Sequence, residues 1–225
     1  MSVLAIVGGT SLLGCPLPPL EPRRVPTPFG PASVLAGEDC IVLLRHDGGR
    51  PPHRLNHRAN MAALALAGAD RVVLIGSTGS LRPELPPGSL VVTDDYATTA
   101  PVPTIHDRAL VHVSPGFSPG LTGRLASLVP GAVRGGVYVQ TQGPRLETRA
   151  EVRALASFAD VVGMTCASEA ALANELEIEV AALCTVENYA HGVADCAVSF
   201  EEIVEAARAN ADRTAGIVRR LIGEV

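Results

Sequence analysis

The chain has 225 residues, of which 47% are hydrophobic and 18% charged, with a formal net charge of −5. This is the composition of a compact globular protein and excludes an intrinsically disordered one. Without a basic excess it disfavours a nucleic-acid backbone as partner, while leaving room for a small anion held by local donors.

Taken in chain order, residues 1–9 are apolar, lack a basic flank and run into Gly8-Gly9. That is the pattern of a first buried strand, not of a signal peptide. Short β-branched apolar runs bounded by turn residues recur at 3–7, 40–44, 71–75, 90–93, 136–141, 161–163 and 180–186. Each predicts a buried strand. Helical patterns lie between them at 56–67, 121–128, 148–158 and 167–176, the last rich in alanine. A final amphipathic helix is predicted over 200–222, where Ile203, Ala207, Ala211, Ile217, Val218 and Leu221 fall near helical spacing. Segments 16–31 and 100–119 are proline-rich and read as surface loops within one domain spanning 1–225. No run is long enough to cross a bilayer. The five cysteines, at 15, 40, 166, 184 and 196, show no CxxC spacing and read as reduced cytosolic thiols rather than a metal site. Strands alternating with helices predict an α/β sandwich around a mixed sheet.

Polar, glycine-rich clusters follow the predicted strands, where ligand sites of α/β sheets tend to sit. Gly8-Gly9-Thr10-Ser11 lets backbone approach an anion and adds a hydroxyl, although alone it is more simply a tight turn. Arg45-His46 offers a fork of donors and an imidazole, a pair also common on plain surfaces. The amides of Gly76-Ser77-Thr78-Gly79-Ser80 can bind phosphate or a sugar hydroxyl, or form another turn. Glu147, in Thr141-Gln142-Gly143-Pro144-Arg145-Leu146-Glu147-Thr148, stands just before a predicted helix, where a carboxylate can also serve only the helix dipole. Gly163-Met164-Thr165 is followed by Glu169 on the next helix, and Met164 can equally be core packing. In Glu187-Asn188-Tyr189-Ala190-His191-Gly192, the asparagine can cap a turn or offer a planar base one donor and one acceptor.

Together the clusters resemble the trimeric purine nucleoside phosphorylase and methylthioadenosine phosphorylase family. The order GGTS, RH, LNHRAN, STGSLRPELPPGSLVV, QGPRLETRAEV, VVGMTCASEA and VENYAHG covers nearly the whole chain, and GPRLETRAE and GMT are its most specific blocks. The resemblance implies a three-layer α/β sandwich around a mixed, partly barrel-like sheet. It also implies a cytoplasmic homotrimer or hexamer, with a purine nucleoside and inorganic phosphate as partners and no metal or organic cofactor. Thr10, Arg45, His46, Ser77 and Thr165 fall on phosphate-binding positions of the family. Met164 falls beneath the ribose, Leu146 against the base, and Glu147 and Asn188 on base-recognition positions.

Relatives acting on 6-aminopurines carry aspartate where Asn188 and Ala190 stand, and usually serine at Glu147. The pair Glu147 and Asn188 resembles that of 6-oxopurine enzymes. The chemistry agrees, because hypoxanthine and guanine present N1–H to a carboxylate, whereas adenine N1 is itself an acceptor. At the sugar end, Phe200 takes the place of a histidine found near the ribose 5′-hydroxyl, and Ile203 and Val204 beside it are apolar. A buried hydroxyl there would lose its hydrogen bond, whereas a methylthio group fits. The combination favours 5′-methylthioinosine slightly over inosine or guanosine. Inosine is favoured instead if Phe200 faces the core.

Asn188, Glu147 and His46 are the candidate catalytic groups. Asn188 bonds the base near N7, Glu147 holds N1–H, and His46 holds phosphate without acting as general base. Phosphate approaches an oxocarbenium-like sugar from the face opposite the leaving base. The chain also departs from the pattern. Asp47 replaces a glycine after His46 and repels phosphate unless it points away or pairs with Arg45. The loop 45–60 is about two residues shorter than in relatives, and a loop histidine is missing or displaced to His53. The region 94–116 is truncated, with His112 the residue that would reach a neighbouring subunit. Methylthioadenosine cleavage, a hydrolytic nucleosidase and a degenerate purine-binding protein are the competing readings.

Overall fold

A computed structural model of the chain describes residues 3–12, 14–46, 49–194 and 199–224. Asp47, Cys196 and Val198 lie outside the described residues. In chain order the elements are β1 (Leu4–Gly8), a 3-10 turn (Thr10–Leu12), β2 (Glu21–Val25), β3 (Ala32–Ala36), β4 (Cys40–Leu44), a second 3-10 turn (Pro52–Arg54), α1 (His57–Leu66) and β5 (Arg71–Ser80). Then come β6 (Leu90–Thr93), β7 (Asp95–Thr98), α2 (Pro119–Leu128), β8 (Val133–Arg134), β9 (Val137–Gln140), α3 (Arg149–Leu155), β10 (Val161–Gly163), α4 (Cys166–Glu175), β11 (Glu179–Tyr189), α5 (Phe200–Ala209) and α6 (Ala211–Glu224).

The strands form one mixed sheet in the order β2-β3-β4-β1-β5-β10-β9-β7, with β11 pairing both β5 and β6, and β6 pairing β8. Strand β5 is shared by two arms. Its first five residues pair in parallel with β1, its last two pair antiparallel with β10, and β11 runs along its other edge. The sheet therefore splits at β5 and turns back on itself, which makes it partly barrel-like.

Side chains on the central strands alternate between two cores, as the twofold strand period requires. Ala5 and Val7 of β1 and Val72 and Leu74 of β5 join Ala63 of α1 and Ala170 of α4. Leu4, Ile6, Val73 and Ile75 face the other way, onto Leu125 of α2 and Val218 of α6. Helices thus cover both faces, giving three layers. Fully buried Ala167, Ala170 and Ala173 let α4 lie close on the sheet.

Several expectations are corrected. Segment 16–31 is not wholly loop, because β2 pairs antiparallel with β3 there. Pro22 is tolerated because β2 is an edge strand, where a missing N–H costs no ladder bond. The predicted C-terminal helix is two helices broken at Asn210, whose side-chain amide bonds back to Ala206 O at 2.9 Å in competition with the backbone. The clusters at 76–80 and 187–189 are not loops after strands. Strands β5 and β11 run through them, held in parallel register with one bulge between Val186 and Asn188. Strand β7 carries no apolar run and was not expected.

Candidate active site

One cavity of about 690 Å³ gathers all ten residues singled out in the sequence: Thr10, Arg45, His46, Ser77, Leu146, Glu147, Met164, Thr165, Asn188 and Phe200. Its size suits a nucleoside-scale ligand. It opens along β5, β10 and β11, the three strands that meet where the sheet splits.

At one end, Arg45 and His46 follow β4 and converge over Gly9. A Cβ on Gly9 would come 2.8 Å from His46 Nε2 and 3.0 Å from Arg45 Nη1, so only glycine leaves space between them. Arg45 is buried, and Nε and Nη2 donate to Glu169 Oε1 and Oε2 at 2.7 Å each, while Nη1 donates to Ile75 O at 3.2 Å. Burial pulls the guanidinium down, but the Glu169 charge and hydrogen bonds outweigh it and hold Arg45 above its ordinary value. Burial likewise pushes Glu169 up, and Arg45 with His57 pulls it down to about 2. His57 Nδ1 lies 3.7 Å from Glu169 Oε1. Arg45 therefore pairs with Glu169, a residue given no role by the sequence; Asp47 was the partner considered there.

His46 Nδ1 lies 2.7 Å from Arg50 O. A carbonyl oxygen only accepts, so Nδ1 carries the proton and the neutral ring keeps its lone pair on Nε2. Burial pulls His46 below the usual histidine range, against the opposing pull of that hydrogen bond. Arg50 is exposed and also lines the cavity, a contribution of the shortened loop that the sequence reading missed. His53 is exposed and is not a lining residue, nor is His112.

Thr165 stands at the N-cap of α4, and its side chain makes no cap hydrogen bond. The Thr165 and Cys166 amides donate to the Tyr138 hydroxyl at 3.0 and 3.2 Å. These amides at the start of α4 are thus satisfied within the protein, and Thr165 itself lines the cavity with Arg45. Ser77 lines the cavity too, but its hydroxyl is buried beside the carboxyl of Glu187. That carboxyl accepts from Thr185 Oγ1 at 2.6 Å, and burial pushes its pKa up.

The other end is built on the β11 bulge and the approach to α3. Glu187 is the extra residue, and the bulge re-aims Asn188 toward Gly79, whose Cβ would lie 3.3 Å from Asn188 Nδ2. Asn188 Nδ2 donates to Tyr189 O at 2.8 Å, which leaves Oδ1 and a second N–H for a ligand. Glu147 is buried, and its Oε1 accepts from Thr141 Oγ1 at 2.6 Å. It does not cap α3. Thr148 and Glu151 form that capping box, and Arg145 clamps Glu151 at 2.7 Å through both Nη atoms. Glu147 is thereby fixed in position with its second carboxylate oxygen unused.

Between the ends, Met164 sits over Gly143, where any Cβ would collide with Met164 Sδ. Phe200, the first residue of α5, does not face the core: it is 66% exposed and lines the cavity with Ile203.

The model of the Phosphorylase superfamily matches residues 18–223. The "Probable 6-oxopurine nucleoside phosphorylase" of Archaeoglobus fulgidus is 41% identical, covering 99% of this chain and 97% of its own. The "Probable S-methyl-5'-thioinosine phosphorylase" of Methanocaldococcus jannaschii is 35% identical, covering 90% and 85%. The structure of methylthioadenosine phosphorylase from Schistosoma mansoni with adenine superposes at a TM-score of 0.91 with 23% identity, covering 99% and 91%. That last likeness carries the fold, and the first two carry the kinship: this chain belongs to the phosphorylase superfamily.

Proposed function

We propose that this enzyme, a pentosyltransferase of the purine nucleoside phosphorylase type, splits 6-oxopurine nucleosides with inorganic phosphate. The products are the free base and a ribose-1-phosphate-type sugar. One observation carries the reading: the cradle of Arg45, Gly9 and His46 shares a cavity with Glu147 and Asn188.

In this reading phosphate occupies the Gly9 cradle. Arg45, oriented by Glu169, offers its unused N–H groups, and Thr10 and Thr165 add donors. A neutral His46 accepts from a protonated phosphate oxygen through Nε2. Ser77 borders phosphate with its backbone, since its hydroxyl is turned into the protein. The base lies against Leu146 and Val162, with N1–H donated to the unused oxygen of Glu147. Asn188 meets the N7 edge, where negative charge gathers as the glycosidic bond breaks. Phosphate then stabilises and captures the cationic sugar. No step needs a metal or organic cofactor.

At the 5′ end, Phe200 and Ile203 present apolar surface and no donor. A methylthio group suits that surface better than a hydroxyl. This favours 5′-methylthioinosine over inosine. Adenine nucleosides are disfavoured because adenine N1 would face the Glu147 carboxylate.

A homotrimer in the cytoplasm is part of this reading. Leu110, 91% exposed, and its exposed neighbours Val111 and Val113 are apolar side chains that contact between copies would cover. Among the described residues no helix is long and apolar enough to cross a membrane. The test of the activity is base release with and without phosphate from inosine, guanosine, adenosine, methylthioadenosine and methylthioinosine. The reading expects phosphate-dependent release from the 6-oxopurine nucleosides and little from the 6-amino ones.

A further inference from the structure

The cavity holds a histidine that the reaction just described leaves idle. His191 lines it, and its Nδ1 lies 2.8 Å from the carbonyl oxygen of Glu147. Because that oxygen only accepts, Nδ1 carries a proton, and in the Nδ1–H tautomer Nε2 is the acceptor. Among the described residues Nε2 has no hydrogen-bond partner. The backbone around it is held on both sides: Ala190 N donates to Ser80 O at 2.8 Å, and Val193 N donates to Ala190 O at 3.1 Å. Gly192 adopts φ +84° and lies against the Arg149 side chain, a turn that would strain any larger residue.

Glu147 therefore supplies two acceptors. One is its own carboxylate oxygen. The other is the imidazole Nε2 that its backbone carbonyl orients. A pair of acceptors calls for a pair of donors on one edge of the base. A 6-oxopurine with a 2-amino group has that pair, N1–H and N2–H, on neighbouring atoms. Hypoxanthine has only the first.

We propose that His191 is a specificity-determining residue that accepts a hydrogen bond from the exocyclic 2-amino group, so that guanine nucleosides are preferred over hypoxanthine nucleosides with the same sugar. The proposal rests on the 6-oxopurine reading of the cavity. The reversed placement, with the 6-carbonyl against Nε2, sets two acceptors face to face. With hypoxanthine bound, Nε2 has no partner on the base, and that asymmetry is the source of discrimination.

The test compares kcat/KM for guanosine and inosine in the wild type and in His191→Ala. Calorimetric binding of free guanine and hypoxanthine gives the same ratio without turnover. The wild type is expected to favour guanosine and guanine by about fivefold to tenfold, the ratio of one net hydrogen bond. In His191→Ala the ratio falls to about one, because guanosine loses more than inosine. His191→Phe, which keeps the bulk and removes the acceptor, gives the same loss. Equal loss on both substrates marks a merely structural residue and overturns the proposal, as does a wild type that treats both bases alike. If neither nucleoside is cleaved and neither base binds, the 6-oxopurine reading itself fails and takes this one with it.

Discussion

Arg45 and Glu169, 124 residues apart in sequence, meet fork to fork, with both nitrogen–oxygen distances at 2.7 Å and side-chain exposures of 2% and 0%. The pair fixes the plane of the guanidinium and aims Nη1 at the space above Gly9. It also cancels the formal charge of the guanidinium, so geometry rather than bulk charge sets the grip. Removing one partner of such a pair leaves an uncompensated buried charge. Glu169→Ala should therefore lose about 3–5 kcal/mol of stability in denaturant melts, and the KM for phosphate should rise more than that for nucleoside. Unchanged stability with an unchanged phosphate KM would contradict this role.

The same pair sets the acid limit of the fold. Glu169 titrates at about 2 in the folded chain against an ordinary 4.5, so the unfolded chain binds more protons in between. Its contribution is complete above about 4.5 and is lost as pH falls toward about 2. A stability profile across that window should slope downward toward acid in the wild type and be flatter in Glu169→Ala. Parallel slopes would remove Glu169 from the account.

Asn188 separates chemistry from folding. Among the described residues its side chain makes a single hydrogen bond, to Tyr189 O. Asn188→Ala should lower kcat by about 10²–10³-fold, as removal of a charge-stabilising donor does. The cost in stability should stay below about 1.5 kcal/mol. A variant turning over its preferred nucleoside at the wild-type rate would end the assignment.

Phe200 governs the 5′ substituent. Phe200→His places a donor at the cavity lip and should shift the inosine to methylthioinosine ratio of kcat/KM toward inosine by about tenfold. Because Phe200 is 66% exposed, the melting midpoint should hardly move. An unchanged ratio would show that the 5′ group lies elsewhere.

Much of this was legible in the sequence, for reasons that differ by element. The predicted strand at 3–7 and helix at 167–176 fall within a residue of β1 and α4, because both are dense in apolar side chains with clear boundaries. The capping box of Thr148 and Glu151 sets the start of α3 by local chemistry alone. The continuation of β5 through Gly76 to Ser80 was not legible, because glycine, serine and threonine read locally as a turn. Pairing with β11 over the same stretch, and with β10 at Gly79 and Ser80, keeps it extended. The site residues were legible by their motif blocks. What joins them was not: Glu169 meets Arg45 across 124 residues, through tertiary placement that no local spacing encodes. His191 stood in a motif block, but its tautomer depends on the Glu147 carbonyl 44 residues away.

The central claim is that phosphate, not water, takes the sugar. It is tested most directly by following hypoxanthine release from inosine and methylthioinosine in phosphate-free buffer and with added phosphate. The account predicts release that depends on phosphate and saturates with it, yielding a sugar 1-phosphate in equal amount. Release at the same rate without phosphate, or no release from any purine nucleoside, would contradict it.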